Sequence, residues 1–139
     1  GIFLAIEKDL KGSKIRGAFK VLNDKPAIYI TKKHNRYADV YFALLHELAH
    51  CKSDFNRAKS GSIVSTEDDM DLEDYELKAD ATALNWMISD SLYNIIKNNY
   101  KDIDNFDVIK SFFVYRLAKD NIIKYGSKLY QDNNKLLEN

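Results

Sequence analysis

The chain has 139 residues, 45% of them hydrophobic, and carries 21 basic and 21 acidic residues for a formal net charge of zero. That is the size and composition of one globular domain, and the balanced charge argues against a large electrostatic footprint for nucleic acid. A single cysteine excludes an internal disulfide and suits a reducing cytoplasm; neither an 18-residue apolar run nor a signal-peptide pattern is present, so no membrane helix is expected.

Residues 2–7 (IFLAIE) alternate Ile2, Leu4 and Ile6 with other residues, which predicts a strand. Lys11-Gly12-Ser13 is a turn signal. Residues 14–20 (KIRGAFK) alternate again, with Gly17 as a bulge or a point of close approach. Residues 21–26 end in a turn at Pro26, and 27–31 (AIYIT) form a third short strand. The fold class expected is therefore α+β, a small three-stranded sheet packed against helices. Residues 39–51 read as a helix, with Asp39 as its cap or as a partner to a ligand. Cys51, on the apolar side of that helix, reads as a packing thiol. Residues 52–66 are polar, with Gly61 and several serines, and predict a loop. Residues 67–76 hold seven carboxylates. Their spacing does not match a calcium loop, whereas an acidic helix start suits the macrodipole. Helices follow over 71–88, 89–99 and 105–119, the last with a core stripe of Ile109, Phe112, Phe113 and Leu117. Tyr125-Gly126 breaks the pattern, and the terminal DNNKLLEN is expected to fray.

The chemistry gathers at HELAH, residues 46–50. His46 and His50 are four apart, so a helix sets them on one face about one turn from each other. Two imidazoles so placed can share a zinc ion. Glu47 falls on the flank of that face, where it can act on a water rather than on the metal. Asp39, Ala43, His46, Glu47 and His50 share one arc of the helix. Val40, Tyr41, Leu44, Leu45, Leu48 and Cys51 supply an apolar back. The plainer alternative is a helix with two surface histidines.

A catalytic zinc usually has three protein ligands. The extended HExxHxxGxxH motif is absent, because Ser53 and Asn56 occupy its last two defined places. His34, the remaining histidine, lies in a polar run and reads as a loop residue. A carboxylate is then expected as third ligand. On the helix 71–88, Glu73, Glu76, Asp80, Ala83 and Met87 share a face. Glu76 is preferred over Glu73 because only Glu76 has a carboxylate one turn on, at Asp80. That aspartate can hold a ligating imidazole by its other N–H.

HExxH followed about 25 residues later by Glu76-Leu77-Lys78-Ala79-Asp80 resembles the gluzincin pattern. More narrowly, the chain resembles the ImmA/IrrE family of small bacterial and phage-associated metallopeptidases. The resemblance extends over GIFLAIEKDLKGSKIRGAF, PAIYIT, NRYADVYFALLHELAH, YELKADATALNWMI and the tail YRLAKDNIIKYGSKLYQDNN. Lys78 and Thr82 depart from it, standing where the family often has a second acid and an aromatic. The resemblance implies a zincin-like fold and a cytoplasmic Zn2+ endopeptidase. Its substrate would be a protein, often a DNA-binding repressor of a phage, stress or toxin–antitoxin system. It also implies that residues 1–139 are a single domain excised from a longer protein with an upstream helix-turn-helix domain, and that the edge of strand 27–31 receives substrate. The rival reading is a non-catalytic regulatory or antitoxin-type module that retains the fold. A third is a helical domain without metal. Glu47 favours the enzyme, since a structural metal needs no base. Tyr37, Tyr41, His34 and Arg116 are unranked candidates for the oxyanion donor, and the oligomeric state is open.

Overall fold

The computed structural model describes residues 1–8, 11–66 and 73–138. Among these described residues, four strands and six α-helices appear in the order β1 (Phe3–Glu7), β2 (Ile15–Leu22), β3 (Lys25–Thr31), α1 (Tyr37–Ser53), α2 (Phe55–Ser60), β4 (Ile63–Thr66), α3 (Asp74–Met87), α4 (Asp90–Ile96), α5 (Lys110–Lys119) and α6 (Lys128–Asn133). A 3-10 stretch, Lys97–Asn105, links α4 to α5. The class is α+β, and the sheet is mixed and has four strands rather than the three expected. Its order is β1-β3-β2-β4, with β1 parallel to β3 and the other pairs antiparallel.

The fourth strand lies inside the stretch 52–66 expected as a loop. That stretch holds the end of α1, all of α2, and β4, whose Ile63 and Ser65 turn inward while Val64 stays exposed. Serine and glycine content hid a four-residue strand with β-branched alternation. Pro26 is also misplaced by the sequence: it sits within β3, opposite Val21. The turn is Asn23-Asp24, both at positive φ (49° and 59°), a two-residue hairpin of the primed type. Leu22 and Lys25 close it, so alternation makes Val21–Pro26 a pair that exchanges no hydrogen bonds. On its other side β3 meets β1 only from Ala27 onward. The missing proline N–H therefore removes nothing from the ladder. The same topology corrects the substrate edge: β3 is internal, and β1 and β4 are the edges.

Two apolar clusters flank α1. Phe19, Ile28, Ile30 and Ile63 from the sheet meet Ala43, Leu44 and Leu48 on one side. Phe42 and Leu45 join Met87, Tyr93, Phe113, Leu117 and Tyr130 of the later helices on the other. The expected apolar back is thus shared between two cores. Leu44, Leu45 and Leu48 are only partly buried, while His46, Glu47 and His50 are fully buried. Cys51 packs against the sheet-side cluster. Helix α5 begins at Lys110, later than expected. Ile109 precedes it and is 54% exposed, so it leaves the core stripe, whereas Phe112, Phe113 and Leu117 are buried as predicted. Helix α3 spans 74–87; of the acidic run, residues 67–72 lie outside the described residues.

The tail does not fray through Leu137. Asn134 is fully buried and accepts from the Ala38 backbone N–H (2.9 Å). Its amide donates to Asp39 (2.8 Å) and to the Tyr130 hydroxyl (2.9 Å), which itself donates to Asp39. The Lys135 carbonyl accepts from Tyr37 N–H, and the Leu137 N–H donates to Asn35. The first-turn N–H groups of α1 are therefore capped from the far end of the chain. Asp39 makes no cap; it anchors the tail. Because Asn134→Ala would orphan a buried donor and a carboxylate, it should lower unfolding stability by about 2 kcal/mol in urea titration, with exposed Asp132→Ala as the near-neutral control.

Candidate metal centre

Helix α3 lies across α1 with buried Ala79 and Ala83, and these small residues allow close approach. That contact brings Glu76 to the two histidines. His46 Nε2 and His50 Nε2 are 3.0 Å apart, and Glu76 Oε2 is 3.1 Å from the first. Glu76 Oε1 lies 2.9 Å from His50 Nε2 but without hydrogen-bond alignment to any partner. Each histidine is held from behind. His46 Nδ1 meets Asp80 at 2.7 Å, and His50 Nδ1 meets Asp54 at 2.9 Å. Carboxylates only accept, so both Nδ1 atoms carry hydrogen. In the neutral imidazoles both Nε2 lone pairs then point inward.

Two nitrogen lone pairs and a carboxylate facing one space repel unless positive charge lies among them. In the ion-free protein protons supply it. Burial would lower His46, but hydrogen bonds to Asp80 and Glu76 and the charge of Glu47 outweigh it and hold the imidazole up at about 9. Burial would raise Glu76, but His46 and His50 draw it down to about 2. His50 is likewise raised, its burial outweighed by Glu76 and Asp54. The donor set suits a zinc-type ion. His46, His50 and Glu76 are all buried with ligand atoms within 4.8 Å of one another, and spacings near 3 Å match donors about 2 Å from one cation.

Glu47 stays out of this cluster. It is 1% exposed, and neither carboxylate oxygen has a hydrogen-bond partner. Burial pushes its carboxyl above the usual range; the imidazoles of His46 and His50 and the nearby Ser65 hydroxyl pull it back. The space for it comes from Gly17. A Cβ there would stand 2.8 Å from Glu47 Oε1, 3.0 Å from its Cγ and 3.0 Å from the Tyr29 carbonyl. Gly17 also ends a β-bulge, since Ile15 and Gly17 face the consecutive residues Thr66 and Ser65. Both readings of this glycine from the sequence hold.

The sequence-predicted residues thus separate cleanly. His46, Glu47, His50, Glu76 and Asp80 come together, while Glu73 sits exposed ahead of α3. Of the four oxyanion candidates, Arg116 is committed to the Leu84 and Ile88 carbonyls and to Asp90. Tyr37 stacks on Phe112 and Tyr41 packs against the same ring at a tilt, and His34 lines a neighbouring cavity. Sequence reasoning missed Asp54 and Tyr75, whose ring lies 5.9 Å from that of His50. Asp54 had a signal: it stands one turn beyond His50, as Asp80 does beyond Glu76.

The family model for Peptidase U49 matches residues 18–109, from within β2 to the residue before α5, and so takes in HELAH, Glu76 and Asp80. The chain belongs to the Peptidase U49 family. No curated protein matches it. As a U49 member it falls among peptidases, and the buried His-His-Glu cluster is consistent with a metal-dependent one.

Two outcomes follow for this U49 chain. Gly17→Ala should lower cleavage of an unfolded protein substrate about 10²-fold, because the added Cβ displaces Glu47 beside the His-His-Glu cluster and small misplacements have effects of that order. The second concerns pH in chelator-treated protein. His46 titrates at about 9 folded against 6.5 unfolded, so its stabilisation is complete below 6.5 and lost as pH rises through about 9. Glu76, at about 2 against 4.5, stabilises above 4.5 and loses this as pH falls through about 2. Buried Glu47 is raised above 4.5, so its contribution is complete below 4.5 and is lost as pH rises above that value. Thermal melts should therefore show Tm falling as pH drops toward 2 and falling as it rises toward 9, with the maximum between.

Proposed function

We propose that the chain is a zinc-dependent endopeptidase of zincin type that cleaves a protein substrate. The observation that carries this is the convergence of His46, His50 and Glu76 beside a buried carboxylate, Glu47, that no hydrogen bond satisfies. A structural metal would leave Glu47 without purpose. When bound, the cation supplies Lewis acidity to the attacking water and to the scissile carbonyl. Glu47 takes the water's proton on a carboxylate oxygen and returns it to the leaving amine nitrogen. Its raised affinity for protons suits that exchange. Asp80 and Asp54 fix the ring orientations of His46 and His50 and raise their basicity.

Substrate would add to β4 rather than to β3. Strand β4 carries Ser65 beside Glu47, and among the described strands it pairs only with β2, leaving its outer edge for an extended peptide. The resemblance to ImmA/IrrE metallopeptidases supports a DNA-binding repressor as substrate and a place beside an upstream DNA-binding domain in the cytoplasm. None of the described helices is long and apolar enough to cross a membrane.

Glu47→Gln keeps the side-chain size and removes the base. It should fold, retain zinc to the wild-type level and lose cleavage of a co-expressed repressor by about 10²–10⁴-fold. Should the variant give normal induction of target genes, with repressor intact in both strains, the non-catalytic regulator replaces the peptidase.

A further inference from the structure

Beside the metal centre lies a cavity of about 490 Å³ whose lining is strongly cationic. Arg16, Lys33, Arg36 and Lys119 contribute four positive charges, and the His34 side chain also lines the space. The sole carboxylate among the lining residues is Asp39, which already accepts from Tyr130 and Asn134. In a chain of zero net charge this is a marked local excess. Low-dielectric walls focus such a field on whatever enters.

The cavity adjoins the reaction centre. Val40 and Ala43 form part of its wall, and Ala43 is one helical turn ahead of Glu47 on the same face of α1. Lys119 lies 3.9 Å from Asp80, which holds His46. Arg16 immediately precedes Gly17, on which Glu47 rests.

Arg16 reaches this space only because β2 is bulged. Gly17 and Phe19 pair with Ile30 and Ile28, the residues of β3 that face α1. Strict alternation would point Arg16 to the opposite face of the sheet. Instead Arg16 is the extra residue between Ile15 and Gly17, and a bulge of this kind re-aims a side chain. The Thr31 hydroxyl fastens it by donating to the carbonyls of Ile15 (2.9 Å) and Arg16 (3.3 Å). The guanidinium then rests 5.4 Å from the centre of the Phe42 ring, and the Lys119 ammonium 5.1 Å from the same ring. Asp80 already offsets part of the charge of these two cations, and the excess that the other lining cations add favours a further anion.

We propose that this cavity is the subsite for a carboxylate of the peptide substrate, held by Arg16 and Lys119 next to the metal centre. Arginine offers a planar fork matched to a carboxylate, and the tyrosines Tyr115, Tyr125 and Tyr130 line the remaining wall. The volume lies in the range of small-ligand sites, enough for an acidic residue with adjoining backbone. The carboxylate has two sources, an aspartate or glutamate side chain and a free C-terminus. This rests on the peptidase reading for the nature of the ligand but not for its measurement.

The test uses blocked penta-alanine peptides with one glutamate at each position in turn, their glutamine counterparts, and penta-alanine with a free C-terminus. Binding to the Glu47→Gln protein is measured by calorimetry with and without zinc, so that peptide survives and the preference is read apart from the metal. At least one carboxylate peptide should bind about 10-fold or more tightly than its neutral counterpart, the scale of a charge-assisted hydrogen bond. The ratio should fall with added salt and collapse toward one in the double variant Arg16→Gln, Lys119→Gln. Preference for an internal glutamate assigns the side chain, and preference for the free terminus assigns the C-terminus. Equal binding of all acidic and neutral peptides, or a preference untouched by the double variant, overturns the subsite. Failure of the peptidase reading shows separately, as no cleavage of any peptide by wild-type protein.

Discussion

The constraint on which the rest depends is the repulsion among three electron-rich atoms gathered from two helices. His46 Nε2, His50 Nε2 and Glu76 meet at spacings near 3 Å in a buried space. Such a cluster is tolerable only with positive charge inside it, whether as protons or as a metal ion. Asp80 and Asp54 sharpen the requirement, because they hold the hydrogens on the outer nitrogens and leave the inner lone pairs exposed to one another. The neighbouring groups are arranged to make a cation the favourable occupant.

Holding that arrangement falls to α1. A helix that buries its polar face cannot be fixed by an ordinary apolar stripe, and α1 is instead gripped between two cores, one on the sheet and one among the later helices. The tail through Asn134 secures its first turn. On the sheet side, one bulge in β2 performs two tasks: Gly17 opens space for Glu47, and the extra residue Arg16 is turned toward the adjoining cavity. Local irregularity in a short strand thereby sets the position of Glu47 and the charge of its surroundings.

Much of the site was legible because its parts are spaced by helical turns. His46 to His50 and Glu76 to Asp80 are both four apart, and helical periodicity alone puts each pair on one face. Asp54 obeys the same rule, but the stretch following HELAH reads as polar loop, which hides it. Features set by distant parts of the chain were not legible. Neither β4 nor the internal position of β3 can be read from composition, since four residues carry little periodic signal and strand order is a tertiary outcome. Pro26 suggested a turn, yet two residues at positive φ, Asn23 and Asp24, make it. The polar tail looked free because the partners of Asn134 lie nearly a hundred positions away, at Ala38 and Asp39.

The most direct test of the account is the environment of the metal itself. Crystals of the protein grown with zinc, with diffraction recorded on both sides of the zinc absorption edge, locate the ion independently of any activity. The account predicts one anomalous peak among His46, His50 and Glu76, with Asp80 and Asp54 on the far nitrogens of the two imidazoles and Glu47 off the ion. A fully occupied zinc elsewhere, an ion ligated by Asp80 in place of Glu76, or no peak at this cluster would contradict it.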